Sequence, residues 1–467
     1  MKRFISACLA LASAGLAGAV VEGARPQYGG TLRVEIEATI KSPDPAAPSS
    51  DVAEAAARAR AMGLVFETLV RVGENALSPM LATSWERDSR GIRWQFRLRP
   101  GVQLHDGSPL ESWHVAAALR VSEPAWTITG EDGSVVINTR DPMPDLPWAL
   151  ADLRHAIVVR GASGVLIGTG PFRIERREPA RLSLRAYDAH WGGRPFVDAV
   201  QIEMGRPGAS QLSDLEGGRA DIVSATPLDA RRLTQRGLRF TTSRPLELVA
   251  VAFEPHRATD TSAAWRRTLS AAVNRGSMSA VLLQRFGEPA DALVPRWLSG
   301  YAPLFALDPK ATLSRAAVAA LPLDQRELTL RVDAADPVAR AIADRVAVDA
   351  REAGLIVKVQ APTGLAPRPD ARLIRIRIPT TSPDRALAAV AERVARDGPT
   401  NQATRSSSLE AVYAAEQLLL DRSIVVPIVH LQEIYGLSDR VGTWNTGAVR
   451  ASGEWNFADV WLKNGTP

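Results

Sequence analysis

Cysteine is almost absent from this chain of 467 residues, whose one thiol is Cys8. A single cysteine excludes an intrachain disulfide and a cluster of thiolate metal ligands. Lysine is also rare: five of the 56 Lys and Arg residues are Lys, and 51 acidic residues nearly balance these bases. With a net charge of only +5, we interpret the arginines as solvated side chains and ion pairs, and we expect no nucleic-acid partner.

Long apolar runs are absent except for residues 4–21, which follow the basic residues Lys2 and Arg3. A basic start, an Ala/Leu-rich run and small residues after it are typical of a secretory signal peptide. We therefore expect residues 1–24 to be removed by cleavage between Ala19 and Ala24, and the protein to be periplasmic or otherwise extracytoplasmic. The alternative is a retained N-terminal anchor.

Recognisable catalytic patterns are missing as well. The chain has no phosphate-binding glycine loop and no G-x-S-x-G elbow, and no two histidines have the spacing that places both on one helix face. We therefore predict a protein that is not an enzyme and that has no cofactor and no metal site. The histidines are His105, His114, His155, His190, His256 and His430.

The chain is too long for one hydrophobic core, since single cores stop growing at roughly 250–300 residues. Apolar spacing predicts helices and strands in more than one lobe, and thus an α/β protein. The predicted strands are 31–36, 355–359 and 424–429, and the predicted helices include 51–70, 264–284 and 338–352.

Tryptophan is unusually frequent, with eleven Trp against five Tyr. Trp444-Asn445 lies in a glycine-bounded loop near the C-terminus, where we expect an aromatic side chain to face a ligand cleft. The alternative is that Trp444 packs in a core.

Eight segments then resemble, in order, the motifs of the extracytoplasmic solute-binding proteins that serve peptide/nickel-type ABC importers (family 5). They are 29–32 (GGTL), 65–70 (VFETLV), 79–86 (PMLATSWE), 96–110 (FRLRPGVQLHDGSPL), 168–172 (GTGPF), 190–198 (HWGGRPFVD), 215–222 (LEGGRADI) and 266–275 (RRTLSAAVNR).

The resemblance implies a two-lobe fold of the periplasmic-binding-protein type (type II), with a hinge between the lobes and an inserted β-rich subdomain. We place lobe I at 28–250 with the insertion at about 50–160, lobe II at 251–430, and a return to lobe I at 431–467. The implied function is capture of a peptide-like or other small solute for an ABC permease in the inner membrane, by a monomer. The alternative is a degenerate member that acts as a sensor or partner protein without transport.

Departures from the family pattern affect the ligand. Peptide binders of the family carry an acid that meets the peptide's amino group, and no acid precedes Pro383 at the matching place. Phe253 stands where the family usually has Tyr. We therefore expect ordinary dipeptides to bind poorly, and an uncharged or cationic solute to bind against Trp444, Asn445 and Phe253. The other possibility is that a different acid, such as Asp44, replaces the missing one.

Overall fold

A computed structural model describes residues 25–49, 51–73, 76–161, 164–259, 262–305, 312–362, 368–378, 380, 382–394, 408–444 and 447–463. The predicted signal peptide, Cys8 and Asn445 lie outside the described residues.

Helices and strands occur throughout the described part of the chain. The helices are α1 (Val52–Met62), α2 (Ser112–Ser122), α3 (Leu146–Leu150), α4 (Gly208–Glu216), α5 (Ala230–Gln235), α6 (Ala263–Ala272), α7 (Arg275–Ser277), α8 (Arg296–Ser299), α9 (Arg315–Ala319), α10 (Leu323–Arg326), α11 (Pro337–Glu352), α12 (Pro383–Val394) and α13 (Leu409–Asp421). Among the described residues, none of these helices has the length and apolar character needed to cross a membrane.

The strands are β1 (Thr31–Glu35), β2 (Val70–Val72), β3 (Leu77–Pro79), β4 (Ala82–Arg87), β5 (Arg93–Leu98), β6 (Thr127–Glu131), β7 (Ser134–Asn138), β8 (Val159–Arg160), β9 (Leu166–Ile167), β10 (Phe172–Glu178), β11 (Arg181–Ala186), β12 (Ala199–Glu203), β13 (Ile222–Ala225), β14 (Arg239–Phe253), β15 (Gly287–Pro289), β16 (Glu327–Arg331), β17 (Ile356–Gln360), β18 (Ala371–Arg377) and β19 (Val425–Leu437).

Eleven strands form one mixed sheet in the order β10-β11-β12-β1-β13-β19-β14-β18-β16-β17, with β15 paired to β19. Strands β4 to β7 form a separate antiparallel sheet in the order β4-β5-β7-β6. β14 and β19 are 15 and 13 residues long, and they are the antiparallel pair that continues from one half of the large sheet into the other. Their ladder shifts register on both sides of Pro245.

Three of the apolar clusters among the described residues form the main cores of the two lobes and of the inserted subdomain. The first lobe packs β1, β10 to β13 and the C-terminal residues around Trp455; the second packs β16, β18 and α11 against the far ends of β14 and β19; the inserted subdomain packs α2 against β5 and β7. The predicted boundaries at residues 250 and 430 fall inside β14 and β19, so strand pairing does not mark them. The division into domains with those limits stays a prediction.

The helix predicted at 51–70 ends early, at Met62. After Gly63 the backbone carbonyls bond to a distant segment and do not continue the helix. The Val65 carbonyl accepts a hydrogen bond from Gly170 N (2.9 Å), and the Leu64 carbonyl accepts one from Phe172 N (3.0 Å). A Cβ on Gly168 would lie 2.2 Å from the Val65 oxygen, so only glycine allows this approach. The apolar run after Met62 is therefore buried, as predicted, but not helical.

The helix predicted at 264–284 is also shorter than expected. α6 ends at Ala272, and the chain resumes with the short α7 and a π-helical turn at Met278–Leu282. The Asp349 carboxylate accepts a hydrogen bond from Asn274 N (2.8 Å), which replaces an intrahelical bond at the break. The predicted helix at 338–352 corresponds to α11, and the predicted strand at 424–429 extends to residue 437 as β19.

A buried ion-pair group joins the two lobes beside the crossing strands. Glu433 on β19 accepts from Arg60 on α1 (2.7 Å) and from Arg377 at the end of β18 (3.0 Å), and Tyr435 Oη donates to it (2.7 Å). Burial opposes ionisation of Glu433, but the two guanidiniums outweigh it and lower the pKa of Glu433 to about 2. The carboxylate is therefore ionised in the folded protein.

We expect Glu433→Gln to lower the free energy of unfolding by about 3–5 kcal/mol, because it leaves two buried guanidiniums without their anion. The pKa of Glu433 falls on folding from 4.5 to about 2, so its stabilisation is fully present above about pH 4.5 and is lost as the pH falls through 2. Urea unfolding at several pH values measures both effects, and the variant should show a flatter pH dependence over this range.

The exposed acid Glu288 provides the matched control, since Glu288→Gln should change stability by less than about 0.5 kcal/mol. Equal effects of the two substitutions would contradict the role assigned to Glu433.

Candidate functional site

The central cavity, of about 700 Å³, lies over the middle of β14 and β19, where their register shifts. Residues Thr241 to Pro245 and Gln432 line it from these strands. Volumes of this order are typical of sites for small molecules. The cavity is therefore lined by the two strands that connect the lobes.

Both lobes contribute to the remaining walls of the central cavity. Arg71 on β2 and Arg450 lie on one side, and Glu288 and Trp297 lie on the other. Arg450 is held in a tight turn, because its N–H donates to the Glu454 carbonyl (2.8 Å). Trp297 is held by the hydrogen bond from Nε1 to the Pro245 carbonyl (2.7 Å).

Charge in the central cavity is predominantly positive. Among the described residues that line it, there are three arginines, Arg71, Arg244 and Arg450, and one acid, the exposed Glu288. Burial and the neighbouring guanidinium of Arg450 lower the pKa of Arg71. Grouped guanidiniums attract carboxylates and other anions, so this lining favours a solute with an anionic group. The uncharged or cationic solute expected from the sequence fits this lining less well.

Two further cavities lie in the same region of the first lobe, and one of them shares lining residues with the central cavity. The outer cavity, of about 650 Å³, lies under the loop at residues 44–49 and is lined also by Arg58, Ser452 and Glu454. The connecting cavity, of about 10 Å³, shares Arg71 and Arg450 with the central cavity. It shares Ser452 and Glu454 with the outer cavity.

The family model for bacterial extracellular solute-binding proteins, family 5 (middle), matches residues 76–374. The chain belongs to this family. Family 5 is a family of binding proteins, and one of its motifs in this chain, at residues 168–172, makes a close backbone contact between Gly168 and Val65.

Curated relatives of this family-5 protein include transcriptional regulators. The chain is 28% identical over 251 residues to the HTH-type transcriptional regulator SgrR of Yersinia pestis (strain Pestoides F). This aligned stretch covers 50% of this chain and 43% of that protein. It is 30% identical over 160 residues to SgrR of Salmonella choleraesuis (strain SC-B67), covering 30% of this chain and 28% of that protein. The chain thus matches less than half the length of these relatives.

Solved structures share the fold of this family-5 protein over nearly its whole length. NikA from Brucella suis, in complex with Fe(III)-EDTA, has a TM-score of 0.76 at 19% identity and covers 93% of this chain and 100% of its own. DppA from Helicobacter pylori, in complex with the peptide STSA, has a TM-score of 0.71 at 16% identity and covers 94% and 99%. These likenesses show the two-lobe periplasmic-binding-protein fold that the sequence motifs imply.

Trp444 lies in the core of the first lobe, 5% exposed, between Tyr435 and Phe457. Its Nε1 donates to the carbonyls of Ala448 and Asn456, both at 3.1 Å. The indole therefore has its hydrogen bonds satisfied and offers no open face for stacking with a solute. This is the core packing that the sequence left open as an alternative, and it overturns the expected cleft position.

The other predicted site residues lie apart from one another. Asp44 lines the outer cavity, and its carboxylate is occupied by Ala46 N (3.0 Å) and Arg160 Nη2 (2.6 Å). Phe253 lines a separate cavity of about 440 Å³ in the second lobe and packs edge-on against Trp265. The structure therefore does not assemble Asp44, Phe253 and Trp444 into one site.

The residues that do line the cavities together were not predicted. Arg71, Arg450 and Glu454 meet at the connecting cavity, although residue 71 lies far from residues 450 and 454 along the chain. No local pattern distinguishes Arg71 or Arg450 from the many other arginines. Trp297 is one of eleven tryptophans, and nothing in its surrounding sequence indicates that it packs against the other lobe.

We expect Trp444→Phe to lower the free energy of unfolding by about 1–3 kcal/mol, because the Asn456 carbonyl loses the indole donor and the core loses volume. The Ala448 carbonyl keeps the hydrogen bond from Asn456 N (2.8 Å). Urea unfolding followed by circular dichroism measures the change. Trp113, which is 62% exposed, is the control, and Trp113→Phe should leave the unfolding midpoint nearly unchanged. A normal midpoint for Trp444→Phe would contradict the core assignment.

Proposed function

We propose that this protein is an extracytoplasmic receptor that captures a small solute between its two lobes and presents it to an ABC permease. The observation that carries the proposal is the central cavity, which both lobes line and whose floor is formed by the connecting strands. A solute bound there contacts both lobes and therefore favours the form in which they are together.

Contacts between the lobes outside the ion-pair group support this reading. Arg385 on α12 in the second lobe lies 3.7 Å from the Asp152 carboxylate on the first-lobe side. Trp297 also packs against the core of the first lobe. These contacts are isolated and partly exposed, so each stabilises the closed form only slightly. Binding of the solute can therefore shift the equilibrium between the open and closed forms.

The relatives of known structure support a solute with charged groups. Two of them are in complex with Fe(III)-EDTA and with the peptide STSA, and both ligands carry carboxylates. We propose that the central cavity of this chain likewise holds an anionic group on Arg71 and Arg450. Its proposed partners are the solute and a permease of the inner membrane, and the receptor acts as a monomer without chemical catalysis.

A second candidate is a sensor or partner protein without transport. The stretch of 251 residues shared with transcriptional regulators favours it. Chemical cross-linking in cells of the native host, followed by mass spectrometry, separates the two. Cross-links to permease subunits support the receptor, whereas cross-links to signalling or regulatory proteins alone support the sensor.

We expect the protein purified under native conditions to carry a solute that native mass spectrometry detects. Replacing both cavity arginines, Arg71→Gln with Arg450→Gln, should reduce the bound fraction at least tenfold, because the anionic group loses its charge-assisted partners. The control is Arg176→Gln, since Arg176 is a well-exposed arginine of β10 paired with Glu178.

The same variants can be followed by small-angle scattering on addition of an extract of the growth medium. A wild-type protein that carries no extra mass and keeps an unchanged radius of gyration in the extract would contradict the proposal.

We also propose that the chain is exported with cleavage between Ala19 and Ala24. Mass spectrometry of the protein from the periplasmic or secreted fraction should show a chain that lacks the first 19 to 24 residues. Ala19→Asp should slow processing, because signal peptidase requires small residues at its site. Recovery of an intact N-terminus from the extracytoplasmic fraction would instead support the retained anchor.

A further inference from the structure

A cavity of about 230 Å³, which we call the lateral cavity, lies between the inserted subdomain and the second lobe. Asp145 and Trp148 line it from α3 of the subdomain. The second lobe lines it with Leu298, with Ser382, Pro383 and Asp384 at the start of α12, and with Leu409 and Val412 of α13. The two parts of the molecule therefore meet at this cavity.

Hydrogen bonds join the inserted subdomain to the first lobe. Tyr187 Oη donates to the Leu104 carbonyl (2.7 Å), and His105 N donates to the Gly168 carbonyl (3.0 Å). α12 packs instead on β14 and β18 in the second lobe. We therefore expect the subdomain to move with the first lobe, so that the walls of the lateral cavity separate when the lobes open.

Two carboxylates of like charge line the lateral cavity from opposite sides. Asp145 is half-buried at the start of α3, and Asp384 accepts a hydrogen bond from Ser382 Oγ in the first turn of α12. Burial and the charge of Asp384 raise the pKa of Asp145, and Arg87 on β4 opposes this rise without cancelling it. When both groups are ionised, they repel each other across the cavity.

The next residue of α12 makes a contact of the opposite sign. Arg385 Nη1 lies 3.7 Å from the Asp152 carboxylate. Its charge also favours ionisation of Glu123, whose pKa burial raises. His155 stays uncharged above about pH 3, because burial, Arg385 and Arg154 lower its pKa to about 3. Protonation of Asp152 or Glu123 would weaken the attraction to Arg385, so these acids disfavour closure at low pH.

We propose that Asp145 and Asp384 make lobe closure sensitive to pH, because their repulsion opposes closure near neutral pH and uptake of one proton removes it. This inference rests on the proposed function and adds regulation to the same solute-binding receptor. The other groups facing the start of α12 do not produce this effect: Arg87 and Arg154 keep their charge, and Leu409 and Val412 of α13 have none.

Proton linkage gives the direction of the effect. The part of the raised pKa of Asp145 that comes from Asp384 disappears when the lobes separate, so the closed form binds the proton more tightly. Closure therefore becomes more favourable as the pH falls through the raised pKa, and the gain is complete below the ordinary value of 3.8. Glu433 stays ionised over this range, since its pKa is about 2.

Double electron–electron resonance between two spin labels measures closure without a known solute. Cysteines for labelling are Val121→Cys on α2 and Leu418→Cys on α13, which are 67% and 59% exposed, in a Cys8→Ser background. The labelled protein should show a larger closed fraction at pH 4 than at pH 7. Circular dichroism establishes that the fold is retained at both pH values.

Substitutions in the labelled protein identify the groups responsible. Asp145→Asn should raise the closed-to-open ratio at pH 7 about two- to fivefold, the range for one partly exposed charge pair, and should flatten its pH dependence. Asp384→Asn should act similarly, and the double substitution should add little, since loss of one partner removes the repulsion. Asp141→Asn is the matched control, because Asp141 is an exposed acid four residues before Asp145, and it should change neither quantity.

Several outcomes overturn the proposal. A single label distance at every pH does so, as does a closed fraction that falls between pH 7 and pH 4. Folded Asp145→Asn and Asp384→Asn proteins whose effects are absent, or simply add, do so as well. The receptor function is judged separately, by native mass spectrometry. If that method detects a bound solute while closure ignores pH, the receptor function stands and only the role of Asp145 and Asp384 fails.

Discussion

The pairing of β14 with β19 is the constraint on which the rest of the structure depends. These two strands belong to both halves of the large sheet, so each lobe core is completed by residues from the same two segments. The buried Glu433 is ionised because Arg60 and Arg377 approach β19 from opposite lobes. A loss of this pairing would therefore disrupt both cores, the ion-pair group and the cavity floor together.

The preference for arginine over lysine also has a structural basis. Arg266 is 1% exposed, and its guanidinium donates to the carbonyls of Arg257 (2.8 Å), Thr259 (2.7 Å) and Ser423 (3.1 Å). Arg275 donates in the same way to the carbonyls of Ser270 (2.7 Å) and Pro427 (3.0 Å). A guanidinium has five donors in a fixed plane, whereas an ammonium has three on a flexible stem. These arginines connect backbone segments inside the second lobe, a role beyond the surface charge and ion pairs inferred from composition.

The sequence predicts the fold better than it predicts the site, for physical reasons. Local periodicity identifies α11 and the alternation of β1, and the eight motifs identify the family over residues 29 to 275. The helix predicted at 51–70 is too long. The spacing of apolar residues does not show whether their backbone groups bond within a helix or, as at Val65, to a distant loop.

The site depends on contacts between residues hundreds of positions apart, and such contacts leave no periodic signal. Arg71 meets Arg450 and Glu454 only because the C-terminal segment returns to the first lobe. Trp444 was singled out for its glycine-bounded loop, yet the chain beyond that loop folds back and supplies Phe457 to cover the ring. The burial of Trp444 depends on how the following residues fold back over it, so the sequence of the loop alone does not predict it.

The shifts of register around Pro245 have a mechanical consequence. Proline has no N–H to donate, and the interrupted ladder leaves this stretch with fewer cross-strand bonds than the ladders on either side. A sheet bends more easily where such bonds are fewer, so we expect the floor of the central cavity to bend more easily than the ladders on either side. A solute held in the proposed site would then touch the same few residues that we expect to bend. Occupancy can alter the stiffness of the joint directly, without a relay through either lobe.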